Sequence, residues 1–222
     1  MLLYIRKILR FAKRLLDPLF SKNIDYFLWK YKHLLLPKRL NEFGDNKIDN
    51  KYQIFQIIKS KESFESLLDV GCGAAVTLDK LSNIYPSKYF CGIDINNQIL
   101  KLNRIRVKKE IKNNLEFFNS DIYHLDRLEP NSFDIVLVEG VFLYINPKDL
   151  EKIILNLIKI AKKTLILRQI SSKKVFYDDI WHHNFPDLFK KLAINNYKTI
   201  KVFDQPGEWS ENGFIYDISI VK

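Results

Sequence analysis

From Ser66 onward the chain alternates short apolar runs with stretches of helical period, and this alternation constrains its fold more than any other feature. The runs cover residues 67–70, 89–93, 115–118, 133–138, 164–168, 199–203 and 214–221. Helical periods fall at 76–84, 98–109 and 150–162, where Leu150, Ile153, Ile154, Leu157, Ile158 and Ala161 make one face. Strands separated by helices need crossover connections, which predicts a mostly parallel sheet covered on both sides. The last two runs break the pattern. Between them stands DQPGEWSENG, read as loop material with no helix, so these two strands are expected to form an antiparallel hairpin at one edge. The expected class is α/β, doubly wound, with seven strands.

A chain of 222 residues suits one such domain with an appendage. The net charge of +10 locates the appendage: residues 1–40 hold 10 Lys and Arg against Asp17 and Asp25, and the remainder is near neutral. The expected division is a basic helical extension over 1–60 and a domain over 61–222, with turn chemistry at Pro37 and at residues 41–50. In the extension, Leu2, Ile5, Ile8, Leu9, Ala12, Leu15, Leu16, Leu19 and Phe20 recur at helical spacing, with Arg6, Lys7, Arg10, Lys13 and Arg14 on the opposite arc. Charges at every turn exclude a membrane-spanning helix, and no small-residue cleavage site marks a signal peptide. The stripe suits either an anionic membrane surface or a packing face of the domain itself. Cys72 and Cys91 are spaced neither as a metal pair nor as a framework of bridges, which points to a reducing, cytoplasmic compartment. Membrane contact through residues 1–20 would make the protein peripheral at the inner face.

Ligands of a doubly wound sheet bind beyond the carboxyl ends of its strands, so the turn after the first strand is the place to look. It reads LLDVGCGAAVTL, residues 67–78. Gly71 and Gly73 allow a sharp turn and close approach of a ligand. The dinucleotide fingerprint G-x-G-x-x-G fails at Val76, and a Walker-type loop is absent. Asp69 would repel a pyrophosphate but suits an ammonium or a sulfonium. Two more carboxylates close later strands: Asp94, placed to accept the hydroxyls of a ribose, and Asp121, placed to meet an exocyclic amine. Cys72 reads as a small buried hydrophobe.

Four motifs in order carry a family resemblance: DVGCG at 69–73, GIDIN at 92–96, NSDI at 119–122 and FDIVLVEGVFLYINP at 133–147. Together they resemble the class I S-adenosylmethionine-dependent methyltransferases over residues 66–168, and the terminal hairpin resembles the family's sixth and seventh strands. The resemblance implies a Rossmann-like fold and S-adenosylmethionine as cofactor. It implies Asp69, Gly71 and Gly73 at the methionine portion, Asp94 with Ile95 at the ribose, Asp121 with Ile122 at the adenine, and Glu139 beside the cofactor. The family's turn often has a third glycine where this chain has Ala75, whose methyl group is expected to tighten the pocket or shift the helix start.

For the acceptor, the segment after the fourth strand reads Val138-Glu139-Gly140-Val141 and not the N-P-P-Y or D-P-P-Y of enzymes that methylate base amines. Glu139 and Tyr144 are candidates to touch the acceptor. The addition at 173–189, KKVFYDDIWHHNFPDLF, sets Phe176, Tyr177, Trp181 and Phe185 beside Asp178, Asp179, His182 and His183, a mixture that can stack on a sugar, bond its hydroxyls and supply a base. The same residues also fit a lid packed by its aromatics with both histidines exposed. Adjacent histidines on an extended segment face opposite ways, so no metal site is expected. His124 reads as a rim residue. The catalytic candidates are thus His182, His183, Glu139 and Tyr144.

VEGVFLYINP also resembles methyltransferases of bacterial surface polysaccharide biosynthesis. The expected activity is O-methylation of a small-molecule or carbohydrate acceptor, including a lipid-linked surface glycan. The alternatives are an RNA methyltransferase using the basic segment, against which the near-neutral body argues, and a non-catalytic cofactor-binding scaffold.

Overall fold

The computed structural model describes residues 51–61, 63–110, 113–172, 176–177, 180–204 and 208–221. The amphipathic helix read in residues 1–20, with the remainder of the segment to residue 50, lies outside them. Helix α1 (Tyr52–Lys59) buries Ile54, Phe55, Ile57 and Ile58 on one side. Then follow β1 (Ser66–Val70), α2 (Val76–Ile84), β2 (Tyr89–Asp94), α3 (Asn97–Lys109), β3 (Leu115–Asn119), β4 (Phe133–Glu139), α4 (Pro147–Ile160) and β5 (Ala161–Ile170). A two-residue hairpin of β6 (Phe176–Tyr177) and β7 (Ile180–Trp181) leads to α5 (Phe185–Lys191), β8 (Tyr197–Lys201), α6 (Glu208–Asn212) and β9 (Gly213–Ser219).

Helix starts follow capping chemistry. Asn96 accepts hydrogen bonds from the backbone N–H groups of Gln98 and Ile99 at the head of α3. Asn146 does the same for Lys148, and Pro147 at the first helical position starts α4 three residues before its apolar face begins. At its other end α4 passes straight into β5 at Ala161, so this residue, which fits the helical face, is the first of a strand.

The seven strands lie in the order β3-β2-β1-β4-β5-β9-β8. The first five are parallel, and β9 runs antiparallel to both β5 and β8. This is the expected Rossmann-like doubly wound sheet with its antiparallel C-terminal hairpin. The connection within that hairpin is a correction: residues 208–212 form a helical turn where the sequence reads as loop throughout. Its turn-forming residues sit at the two ends of the segment, leaving Glu208–Asn212 free of glycine and proline. The helix stops at Gly213, where a Cβ would stand 2.2 Å from the Trp209 carbonyl oxygen.

Alternation along each strand splits the core in two. Leu68, Val70, Val136, Val138, Leu165 and Leu167 pack with Ile153, Ile154 and Leu157 of α4, and with Phe185 and Phe189 of α5. Leu67, Ile135, Leu137 and Ile166 pack with α1, α2 and α3 on the opposite face. By the same parity Asp69, Glu139 and Arg168 belong to the α1 face. No helix among the described residues is long and apolar enough to cross a membrane.

Candidate active site

Strand order reverses at β1, which pairs with β2 on one side and β4 on the other, and the predicted carboxylates cluster around the carboxyl ends of these strands. The turn after β1 uses its glycines in different ways. Gly71, at φ +77°, lies where a Cβ would stand 2.4 Å from a methyl carbon of Val141. Gly73, at φ +51°, has open space within 4 Å of that position. One glycine therefore packs the turn against the segment after β4, and the other leaves room over the sheet.

Helix α3 and strand β2 hold this turn from behind. The Gly73 N–H donates to Asp94 Oδ2 at 2.9 Å, and the Asn96 N–H donates to Asp94 Oδ1 at 2.8 Å. Asn103 Nδ2 donates to the Gly73 carbonyl at 2.8 Å, and Arg106 donates to that of Ala74 at 3.0 Å. Burial raises the Asp94 pKa, against the lowering effect of N–H groups from Asn96, Gly73 and Ile95. Each Asp94 oxygen keeps a lone pair for a hydroxyl donor. Ala75 adopts a left-handed φ of 56° in place of a glycine, and its fully buried methyl packs in the α1-face core with Leu78 rather than over Gly73. The start of α2 at Val76 is as the helical period predicts.

Asp69 is buried, with its carboxyl pushed up to about 7 by burial first, then by the charges of Glu139 and Asp94, while Lys51 pulls the other way. A carboxylate in this condition is stabilised by any cation brought to it. The Cys72 thiol is held well above its ordinary value by burial and by the Asp69 charge, so it stays protonated and is a poor nucleophile. At the end of β3, Asp121 accepts the Tyr123 N–H through Oδ1 at 3.0 Å and opens a short helical turn (Ile122–Arg127) in which Ile122 is buried and His124 exposed.

Of the group at the ends of β4 and β5, sequence reasoning named Glu139 and missed Arg168, Asp204 and Lys51. Arg168 is fully buried; one guanidinium nitrogen donates to Glu139 Oε1 at 2.8 Å and another to Asp204 Oδ1 at 2.5 Å. The Trp209 ring lies 5.2 Å from the guanidinium carbon. Lys51, at the head of α1, also contacts Glu139 Oε1. The second Asp204 oxygen accepts the Gln53 N–H at 2.9 Å, which caps α1 from across the molecule. Glu139 is consequently held ionised: Lys51 and then Arg168 outweigh its burial and leave its pKa below the usual value. A signal was present, since one arginine inside the apolar run TLILRQI requires a buried partner.

The two histidines are both buried, so the exposed-histidine lid is not what the fold builds. His183 Nε2 meets the Phe142 carbonyl oxygen at 2.8 Å, bracing the short turn Phe142–Tyr144 after β4, and burial lowers its pKa. Phe185 is core, and Tyr144 is half-buried on the braced turn. The side chains of residues 173–180, with Phe176, Tyr177, Asp178 and Asp179 among them, lie outside the description.

A glycine turn with open space at Gly73, set among Asp69, Asp94 and Asp121, fits a cationic ligand that also carries a ribose and a base. Known proteins agree on the class. Residues 67–164 match a family model described as a methyltransferase domain. The chain is 29% identical over 98 residues to malonyl-[acyl-carrier protein] O-methyltransferase of Bacillus anthracis, covering 44% of this chain and 34% of that protein. It is 22% identical over 162 residues to phosphoethanolamine N-methyltransferase 1 of Triticum aestivum, covering 71% of this chain and 30% of that protein. The chain spans about a third of the length of these curated relatives. Its fold is shared with magnesium protoporphyrin IX methyltransferase from Synechocystis PCC 6803, solved with bound S-adenosylmethionine, at a TM-score of 0.69, 16% identity and coverage of 92% and 99% of the two chains. Residues 67–164 thus match a methyltransferase domain, set within a Rossmann-like fold. In particular, that fold is the one seen in an S-adenosylmethionine-dependent methyltransferase from Aquifex aeolicus, at 18% identity and a TM-score of 0.64.

Proposed function

We propose that this protein transfers a methyl group from S-adenosylmethionine to a hydroxyl of a small-molecule or carbohydrate acceptor. The observation that carries the cofactor half is the set of three carboxylates at successive strand ends around a glycine turn, one of them, Asp69, buried beside Glu139 and in want of a cation. Asp69 with the Gly71–Gly73 turn would hold the methionine portion, Asp94 and Ile95 the ribose, and Asp121 with Ile122 the adenine. When bound, the cofactor supplies a methyl group already activated on a sulfonium, which leaves the chain the work of orienting the acceptor and managing its proton.

Glu139, between the cofactor and the acceptor, is held ionised by two cations and serves as a fixed negative charge. His183 works through its bond to the Phe142 carbonyl, setting the turn that presents Tyr144. We assign the proton-accepting role to the neighbouring His182. The mixed aromatic and polar composition of residues 173–189 supports a carbohydrate-type acceptor, and the basic helix read in residues 1–20 supports one linked to lipid. A methyl-transfer assay over small hydroxyl and sugar acceptors tests the reading: His182→Gln should lower turnover about 100-fold with S-adenosylhomocysteine affinity unchanged. Turnover equal to the unaltered protein would remove His182 from the mechanism.

A further inference from the structure

Lys51 is out of place by every local rule. It stands at the N-cap of α1, where the helix dipole disfavours a cation, and its side chain makes no capping bond. No acidic residue follows it in the first turn of α1, and the backbone N–H of Gln53 takes its acceptor from distant Asp204. What Lys51 does reach is Glu139 Oε1, the same oxygen that Arg168 bonds, with both partners of that contact largely buried. Its charge also acts on Asp69. The ammonium thus contacts one carboxylate, Glu139, and acts on a second, Asp69, which lies just ahead of the glycine turn.

We propose that Lys51 is a built-in competitor for the cofactor: its ammonium and the cationic methionine end of the cofactor contend for Glu139 and Asp69, so cofactor entry swings Lys51 outward. This rests on the cofactor reading given above. Arg168 is fully buried and pinned by two carboxylates, so it cannot yield its place. Lys51 has a flexible stem at the start of a helix and a path to solvent, its side chain being 22% exposed. Two mobile cations close to the same carboxylate pair repel each other, and the one on the flexible stem is the one to move.

Calorimetric titration of the full chain with S-adenosylhomocysteine tests this in Lys51→Met and Lys51→Gln. Both variants should bind on the order of tenfold more tightly than the unaltered protein, as expected when a partly desolvated competing charge is removed. Equal or weaker binding overturns the proposal and leaves the cofactor reading intact, because Lys51 would then be a bystander or a cofactor contact. Lysine acetylation read by mass spectrometry checks the same point in the unaltered protein. Labelling of Lys51 should rise when S-adenosylhomocysteine is added, and a fall would show that the ligand covers Lys51 instead of displacing it. Absence of binding to all three proteins would overturn the cofactor reading, and this inference with it.

Discussion

The two halves of the sheet end in carboxylates put to opposite uses. At β1, β2 and β3, Asp69, Asp94 and Asp121 meet backbone N–H groups or little else, and the glycine turn leaves space beside them. At β4 and β5, Glu139 and Asp204 close around a fully buried Arg168, and the same network caps α1. One region stays electrostatically unfinished, with Asp69 pushed up to about 7, and the other is closed around Arg168, with Lys51 its one yielding partner. A buried acid with no cation bonded to it marks a place for a ligand, whereas one bonded to a buried arginine marks a place where the fold is tied together.

The largest effect should come from opening the closed half. Arg168→Met strands Glu139 and Asp204 without their shared cation and is expected to cost about 3–5 kcal/mol in urea unfolding. A cost below 1 kcal/mol would mean that Lys51 and the α1 cap suffice for those acids.

Asp69→Asn should act in the opposite sense. Because the folded carboxyl titrates near 7 and the unfolded one near 3.8, the folded state holds the extra proton between these values, and stability falls as pH rises through that window. Removing the charge should stabilise the protein by about 1–3 kcal/mol at pH 8, fading toward pH 4, since a buried amide recovers only part of the ~4 kcal/mol such a shift represents. The same variant should lose S-adenosylhomocysteine binding. Thermal unfolding at both pH values reads the first effect, and destabilisation at pH 8 would show that Asp69 is structurally partnered.

Asp94→Ala should weaken S-adenosylhomocysteine binding about 10- to 100-fold, or about 1.4–2.7 kcal/mol, by removing both the ribose acceptors and the tie to Gly73. Unchanged affinity would count against the ribose assignment. Ala75→Gly should be the smallest, within about 1 kcal/mol of neutral, because relief of left-handed strain offsets the lost methyl burial and the added freedom of the unfolded chain. A change in affinity beyond tenfold would show that the methyl group shapes the pocket.

The unfinished half could be read in the sequence because its signals are local. Asp69, Gly71 and Gly73 sit within five residues, Asp94 and Asp121 each close an apolar run, and period and turn chemistry place all of them at strand ends. Of the closed half the sequence showed Glu139 and an arginine in need of a partner, but not the pairing. Glu139 and Arg168 face each other only through the β4–β5 register, and Lys51 and Asp204 arrive from opposite ends of the chain. The small helix α6 escaped because glycine and proline at the ends of its segment hid one regular turn between them.

Isothermal titration with S-adenosylhomocysteine at pH 6 and pH 8, with a nicotinamide dinucleotide as control, bears most directly on the unfinished half. The account predicts saturable binding of S-adenosylhomocysteine alone, tighter at pH 8, with proton release at pH 6 as its ammonium draws Asp69 into the ionised form and little release at pH 8. Failure to bind at either pH, or binding of the dinucleotide in its place, would contradict it.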